Sequence, residues 1–135
     1  MTTTTPPSSA DAEPEEELSL GAVLLRSART RRERVAVQAL VEEETLLARD
    51  NVRTALVARQ DGRMRCQWHG VAGRVFTLGL PPADLAFLRL VLSLLGIGHA
   101  PLSAAIDLDE RRLLILLRAL IRIAGNDRVA VGTRM

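Results

Sequence analysis

The sequence contains no lysine and no tyrosine, and its remaining aromatic residues are two phenylalanines and one tryptophan. All 18 of its basic residues are therefore arginine. A GC-rich genome explains this composition, because such a genome encodes arginine where others encode lysine; selection for planar, bidentate contacts with phosphate or carboxylate is the functional alternative. With so few aromatic rings, the core is expected to be aliphatic, and stacking of single-stranded bases is not supported.

Cysteine pairs, long apolar runs and a secretion signal are also missing. A single cysteine, Cys66, permits no internal disulfide. The longest apolar stretches, 85–98 and 113–121, are interrupted by arginine and fall short of the roughly 18–20 residues of a membrane-spanning helix. The N-terminus has no basic segment followed by an apolar one. The sequence therefore predicts a soluble cytoplasmic protein with no membrane partner.

The acidic and basic residues are unevenly distributed along the chain. Residues 1–17, MTTTTPPSSADAEPEEE, hold five acids and no base and have few bulky apolar side chains. We expect this segment to be a disordered acidic tail. Residues 18–135 hold all 18 arginines and the other 11 acids, and we expect them to form a single domain. A basic domain behind an acidic tail favours a polyanion-binding surface for which the tail competes.

Apolar spacing predicts the elements of the first half of the domain. Leucines and valines at three- and four-residue spacing predict helix over 15–48, either one long helix or, as we favour, two with a break near Thr30. Alternating residues on both sides of Asp61-Gly62 predict a β-hairpin, with strands covering 52–58 and 64–68. The segment RVFTLGL, 74–80, is predicted to be a third strand.

The second half is predicted to be helical. Helices are expected at 83–95, 101–106 and 110–124, the last with Asp109 as its N-cap and Gly125 as its C-cap, followed by a short strand at 128–132. The predicted class is α+β, mainly helical, with a small antiparallel sheet made of the hairpin and the third strand.

The order of the last four elements resembles a winged helix-turn-helix, so the C-terminal half is interpreted as winged-helix-like. The resemblance implies that helix 110–124 lies in the major groove of DNA, with Glu110, Arg111 and Arg112 nearest the bases. This helix offers mainly leucine and isoleucine where the family exposes polar side chains. Phosphate contact is therefore expected rather than base reading.

Helix 110–124 carries more apolar surface than a monomer normally buries on one helix. Ten of the twelve residues in 113–124 are apolar, whereas a surface helix usually has an apolar stripe of about 100°. Its arginines at 111, 118 and 122 lie within about 40° of one another around the axis. Three interpretations follow: burial in the monomer core with arginines reaching water, a symmetric dimer interface, or an edge facing phosphates. The residues predicted for the interface are Leu113, Leu116, Leu117, Leu120 and Ile121.

Catalytic and metal-binding patterns are weak. Cys66 and His69 have the spacing of one ligand pair, but a structural zinc site needs a second pair. We interpret them as a packed cysteine and a turn histidine. No serine–histidine–aspartate order, phosphate-binding glycine loop or pair of catalytic carboxylates is recognisable. We therefore expect a protein that is not an enzyme and has no metal or cofactor.

The functional hypothesis is a small homodimeric regulatory protein, acting in transcription, that binds DNA or other nucleic acid by counterion release. The alternative is a protein-interaction module, an adaptor or chaperone-like dimer that holds a protein partner with its apolar helices. The cluster RTRRER can also be a solvated helix surface without a function. The predicted nucleic-acid-binding residues are Arg29, Arg31, Arg32, Arg34, Arg111, Arg112, Arg118 and Arg122.

Overall fold

The structure, a computed structural model, describes residues 19–134; the predicted acidic tail lies outside this range. The described chain is mainly helical with a small antiparallel sheet, as predicted, but the sheet has two strands instead of three. Its helices and strands are α1 (Leu20–Ser27), α2 (Arg31–Glu43), α3 (Thr45–Ala48), α4 (Asp50–Leu56), β1 (Val57–Gln60), β2 (Arg63–Cys66), α5 (Trp68–Ala72), α6 (Pro82–Leu94) and α7 (Glu110–Ala124). Two 3₁₀ turns cover Val75–Thr77 and Leu102–Asp107.

The N-terminal helical region is divided at Thr30, which confirms the predicted break. The Thr30 hydroxyl accepts a hydrogen bond from the Glu33 amide at 3.0 Å, and the Glu33 carboxylate accepts one from the Arg29 amide at 2.9 Å. This arrangement is a variant of the capping box, which satisfies amides that have no partner within a helix. Glu33 also accepts a hydrogen bond from the indole of the buried Trp68 at 3.1 Å, so the start of α2 is tied to α5.

The core is built around α2, against which α1, α6 and α7 pack. Most of its buried side chains are aliphatic, as expected, and Phe87 is the largest fully buried residue. Arg31 contacts the end of α7 at Arg122, while Glu43 lies near Arg111 at its beginning. Helices α2 and α7 are therefore antiparallel, and the groove between them runs along the molecular surface.

The hairpin forms as predicted at its turn, but both strands are shorter, and Trp68, which was predicted to end the second strand, begins α5. Val57 pairs with Cys66 and Gln60 with Arg63, and Asp61 and Gly62 both have positive φ, 52° and 77°. Two consecutive positive φ values are typical of a type I′ hairpin turn. The prediction of a strand over 52–56 was wrong. One side of α4 is buried and carries Val52, Ala55 and Leu56, at the spacing of a helix. The apparent alternation was therefore part of a helical pattern.

The predicted third strand at 74–80 and the last strand at 128–132 do not form. Val75–Thr77 is a 3₁₀ turn that buries Val75 and leaves Phe76 68 % exposed. Residues 128–132 pair with no strand within the described chain. A winged helix needs strands at these places to form its wing, so the structure does not confirm that resemblance.

The helices of the second half follow the prediction more closely. The short helix expected at 101–106 is a 3₁₀ turn, and α7 begins at Glu110 and ends at Ala124 as predicted. Gly125 adopts the left-handed conformation, φ 71°, and ends α7 as the expected C-cap. Asp109 occupies the N-cap position, but its side chain caps no α7 amide and pairs with Arg112 instead. Within residues 19–134, no helix is both long and apolar enough for a membrane crossing.

We predict that Cys66 is inert in the folded protein. Burial, and secondarily the negative charge of Glu33, raise the pKa of the Cys66 thiol to about 12. Because the thiolate is the nucleophile, alkylation by iodoacetamide at pH 8 is expected to be at least about a hundredfold slower in the folded protein than in urea. Mass spectrometry of timed samples measures both rates.

The raised pKa of the Cys66 thiol also makes the stability of the protein depend on pH. The folded state keeps the thiol proton longer than the unfolded state, so the free energy of unfolding is expected to decrease as the pH rises above about 9. Equal alkylation rates in the folded and the unfolded protein would contradict the proposed burial of the thiol.

Candidate functional site

Two buried carboxylates, Glu43 and Asp84, lie beside the first turn of α7. The Glu43 side chain is fully buried, and its carboxylate accepts hydrogen bonds from the Leu46 amide at 2.8 Å and from the Thr45 hydroxyl. Asp84, in the first turn of α6, is 6 % exposed and accepts two hydrogen bonds from the Arg49 guanidinium, at 3.2 and 2.9 Å. Buried carboxylates are costly unless paired and hydrogen-bonded, so both need cations nearby.

Arg112 supplies a cation to both carboxylates. Its Nη2 lies 2.9 Å from Glu43 and 2.7 Å from Asp84, and its Nη1 lies 2.8 Å from Asp109. Burial lowers the pKa of the Arg112 guanidinium, but the hydrogen bond with Asp109 and the charges of Asp84 and Glu43 outweigh burial and raise it. The hydrogen bond from Arg112 lowers the pKa of Asp109 in return. Arg112 thus links α2, α6 and α7.

Arg111 also contacts Glu43. Its Nη1 donates to the Glu43 carbonyl at 3.0 Å, and its Nη2 lies 3.4 Å from the carboxylate. The Arg112 side chain is only 14 % exposed. Both residues were predicted to bind nucleic acid, but their guanidinium groups are occupied by internal partners, and Arg112 has little surface for a ligand.

The far end of α7 is held by another arginine of the predicted set. The Arg31 Nη2 donates to the Arg122 carbonyl at 2.6 Å. A side chain at Gly125 would place its Cβ 2.7 Å from the Arg31 guanidinium, so glycine permits this close approach. A cation at a helix C-terminus satisfies a free carbonyl and interacts favourably with the helix dipole. Arg31 therefore caps α7.

Between these two ends lies a surface that we call the arginine groove, formed by Arg31, Arg34, Gln38, Arg118 and Arg122. A cavity of about 270 Å³ is lined by Arg31, Arg34, Gln38 and Arg122. A neighbouring cavity of about 210 Å³ shares Arg122 and adds Arg118. A third, of about 550 Å³, shares Arg118 and reaches Glu42 and Glu44. The arginine edge of α7 thus borders all three cavities.

The cations of the arginine groove are incompletely neutralised by residues 19–134. Arg122 pairs with Glu42 at 3.1 Å, and Gln38 donates to the same carboxylate at 3.0 Å. Arg34 and Arg118 are exposed and form no ion pair with a carboxylate of the described residues. The structure therefore brings together four of the eight predicted arginines, with a net positive charge between them.

The other two predicted arginines, Arg29 and Arg32, lie outside the groove. Both are exposed at the junction of α1 and α2. The Arg32 guanidinium extends toward Gly96, just beyond α6. They add positive charge near one end of the groove but do not line its cavities.

The outward side of α7 is apolar. Leu113 and Leu120 are 37 % and 43 % exposed, and Leu117 and Ile121 are half-buried. Leu116 points inward and is buried in the core of the monomer. Four of the five residues predicted for an interface are thus at least partly exposed; Leu113, Leu117 and Leu120 lie on a different side of α7 from the arginine groove, whereas Ile121 lines a cavity with Arg118 and Arg122.

The sequence analysis did not single out the two buried acids, Glu43 and Asp84, or the Gln38 amide, which lines the arginine groove. Glu43 follows the buried positions Ala36 and Leu40 at steps of four and three residues, so its place on the apolar side of α2 was a detectable signal. Asp84 looked like an ordinary acid in a first helical turn, and nothing in the sequence distinguished Gln38. Within residues 19–134, no three histidine, cysteine or acidic side chains are grouped to hold a metal ion.

We predict that Arg112→Met destabilises the protein by about 3–5 kcal/mol, because it leaves Glu43 and Asp84 buried without their shared cation. Urea unfolding followed by the fluorescence of Trp68, the single tryptophan, measures the change. Arg118→Met, on an exposed side of the same helix, is the matched control and should change stability by less than about 0.5 kcal/mol. Equal stabilities of the two variants would refute a structural role for Arg112.

Comparison with known proteins gives no relative for this arrangement. No protein-family model, curated protein or solved structure matches the chain.

Proposed function

We propose that the protein is a small non-enzymatic regulatory protein that binds nucleic acid through its arginine groove. The observation that carries this proposal is the pair Arg34 and Arg118, which are exposed and have no carboxylate partner among residues 19–134. Arg31 and Arg122 lie beside them around the same cavities. Guanidinium groups bind phosphate with two parallel hydrogen bonds, so several of them along a groove suit a phosphate backbone.

The proposed contact is with phosphates and not with base edges. The first turn of α7 is a poor reading surface, since Arg112 is 14 % exposed and Arg111, although 47 % exposed, is hydrogen-bonded to Glu43. The outward side of α7 presents leucines, which cannot supply the hydrogen bonds that distinguish bases. Binding would therefore be insensitive to sequence and strongly dependent on salt, because it comes from the release of counterions.

The test is a double variant, Arg34→Ala/Arg118→Ala, measured by fluorescence anisotropy with two duplexes of unrelated sequence. We expect the affinity at 50 mM salt to fall at least about tenfold for both duplexes. The slope of log K against log salt should decrease by about 2, since about one counterion contact is lost with each arginine.

The matched control is Arg59→Ala/Arg63→Ala, which removes the same charge from exposed positions on the hairpin. It should retain most of the affinity. The proposal fails if the unmodified protein does not bind either duplex at 50 mM salt. It also fails if both double variants lose the same affinity, because net charge alone would then explain the binding.

The outward side of α7 supports a second candidate, a protein-interaction module that forms a homodimer. Leu113, Leu117 and Leu120 are separated by four and three residues, the spacing of the apolar seam between two packed helices. A second copy presents the same row, and a two-fold axis would bring the two rows together. The arginine grooves lie on another side of α7 and would remain open in such a dimer.

We predict a dimeric mass for the protein at micromolar concentration, measured by light scattering. Leu113→Glu/Leu120→Glu should give a monomer, since both side chains are exposed and their replacement places charges in the seam. Unchanged Trp68 fluorescence would show that this variant is folded. Leu102→Glu, at an 83 % exposed position outside α7, is the control and should remain dimeric. A monomeric mass for the unmodified protein would exclude the dimer.

A further inference from the structure

The arginine groove has an excess of cations over anions within residues 19–134. The cavity beside the start of α2 is lined by Arg31, Arg34 and Arg122, and Arg118 borders the next one. Glu42 is the carboxylate that pairs with Arg122, and Arg34 and Arg118 have no such partner among the described residues. Guanidinium groups placed around one cavity repel one another, so an anionic chain in the groove would be stabilised.

The described chain begins close to this groove. Helix α1 starts at Leu20, and a Cβ on Gly21 would lie 2.7 Å from the side chain of Val41. Val41 precedes Glu42, which lines the third cavity at the end of the groove. The described chain thus begins at the exposed Ser19, near the Glu42 end of the groove, and Arg31 and Arg34 lie toward the opposite end of α2.

The segment nearest to that entry point has the complementary charge. Residues 11–17, DAEPEEE, hold five carboxylates and no base. Seven extended residues span about 23 Å, while the 13 residues of α2 rise over about 20 Å. The acidic segment therefore matches the groove in charge and in length.

We propose that residues 11–17 occupy the arginine groove and compete there with nucleic-acid phosphates. The competition depends on the proposed function; the contact between segment and groove does not. Each exposed ion pair is weak, but the covalent connection gives the segment an effective concentration of the order of millimolar at the groove. Screening by salt should weaken the contact.

The contact can be measured in the full chain without nucleic acid. A spin label on the Ser9→Cys variant should broaden the amide NMR signals of residues 31–38 and 118–122 at low salt. The half-buried Cys66 thiol, whose pKa is raised to about 12, takes up little label. Broadening should disappear in 0.5 M salt and after Glu13, Glu15, Glu16 and Glu17 are all replaced by Gln. Replacement of Thr2, Thr3, Thr4 and Thr5 by Gln, a control without charge change, should leave the broadening intact.

A second measurement separates this inference from the proposed function. The variant in which the four glutamates are replaced by Gln should bind a DNA duplex at least about fivefold more tightly than the unmodified protein. The control in which the four threonines are replaced by Gln should bind the duplex with unchanged affinity. Absent or uniform broadening overturns the docking of the acidic segment, even if the protein binds DNA. Localised broadening supports it, even if DNA binding is not observed and the proposed function fails.

Discussion

The guanidinium of Arg112 holds two buried carboxylates from two other helices. Glu43 and Asp84 would each be unstable in the interior without a cation, and Arg112 reaches both with the same nitrogen. Because these acids belong to α2 and α6, the first turn of α7 is fixed against both helices. Arg31 fixes the other end of α7. The antiparallel alignment of α2 and α7, and with it the groove between them, depends on these two arginines.

This alignment divides the arginines of the protein into two groups with different chemistry. Arg111 and Arg112 satisfy internal acids and so stabilise the fold, and the Arg112 side chain in particular has little surface for a ligand. Arg34 and Arg118 face outward from opposite walls of the groove and are available to an external anion. The leucines on the remaining side of α7 are separated from both groups, so the proposed polyanion binding and the proposed self-association would use different surfaces.

The sequence predicted those features that depend on neighbouring residues. The limits of α7, the break at Thr30 and the Asp61-Gly62 turn all follow from local capping or backbone preferences, and the structure confirms them. The prediction of a third strand at 74–80 was wrong, because a short apolar run with alternation also fits a 3₁₀ turn that buries one side chain in three. Arg112 was grouped with the free arginines because Glu43 and Asp84, 69 and 28 positions earlier in the chain, are joined to it only by folding.

The shared cation also constrains how the protein can change during evolution. Replacing Arg112 alone leaves Glu43 and Asp84 with one partly exposed arginine each, Arg111 and Arg49, and replacing either acid alone leaves a buried cation with fewer partners. A fully apolar set at all three positions would be tolerated. Intermediates between the ionic and the apolar sets are less stable than either, so the three positions are strongly coupled. Descendants of this chain should therefore inherit Glu43, Asp84 and Arg112 unchanged or lose all three together, whereas folding alone places no such constraint on Arg34 and Arg118.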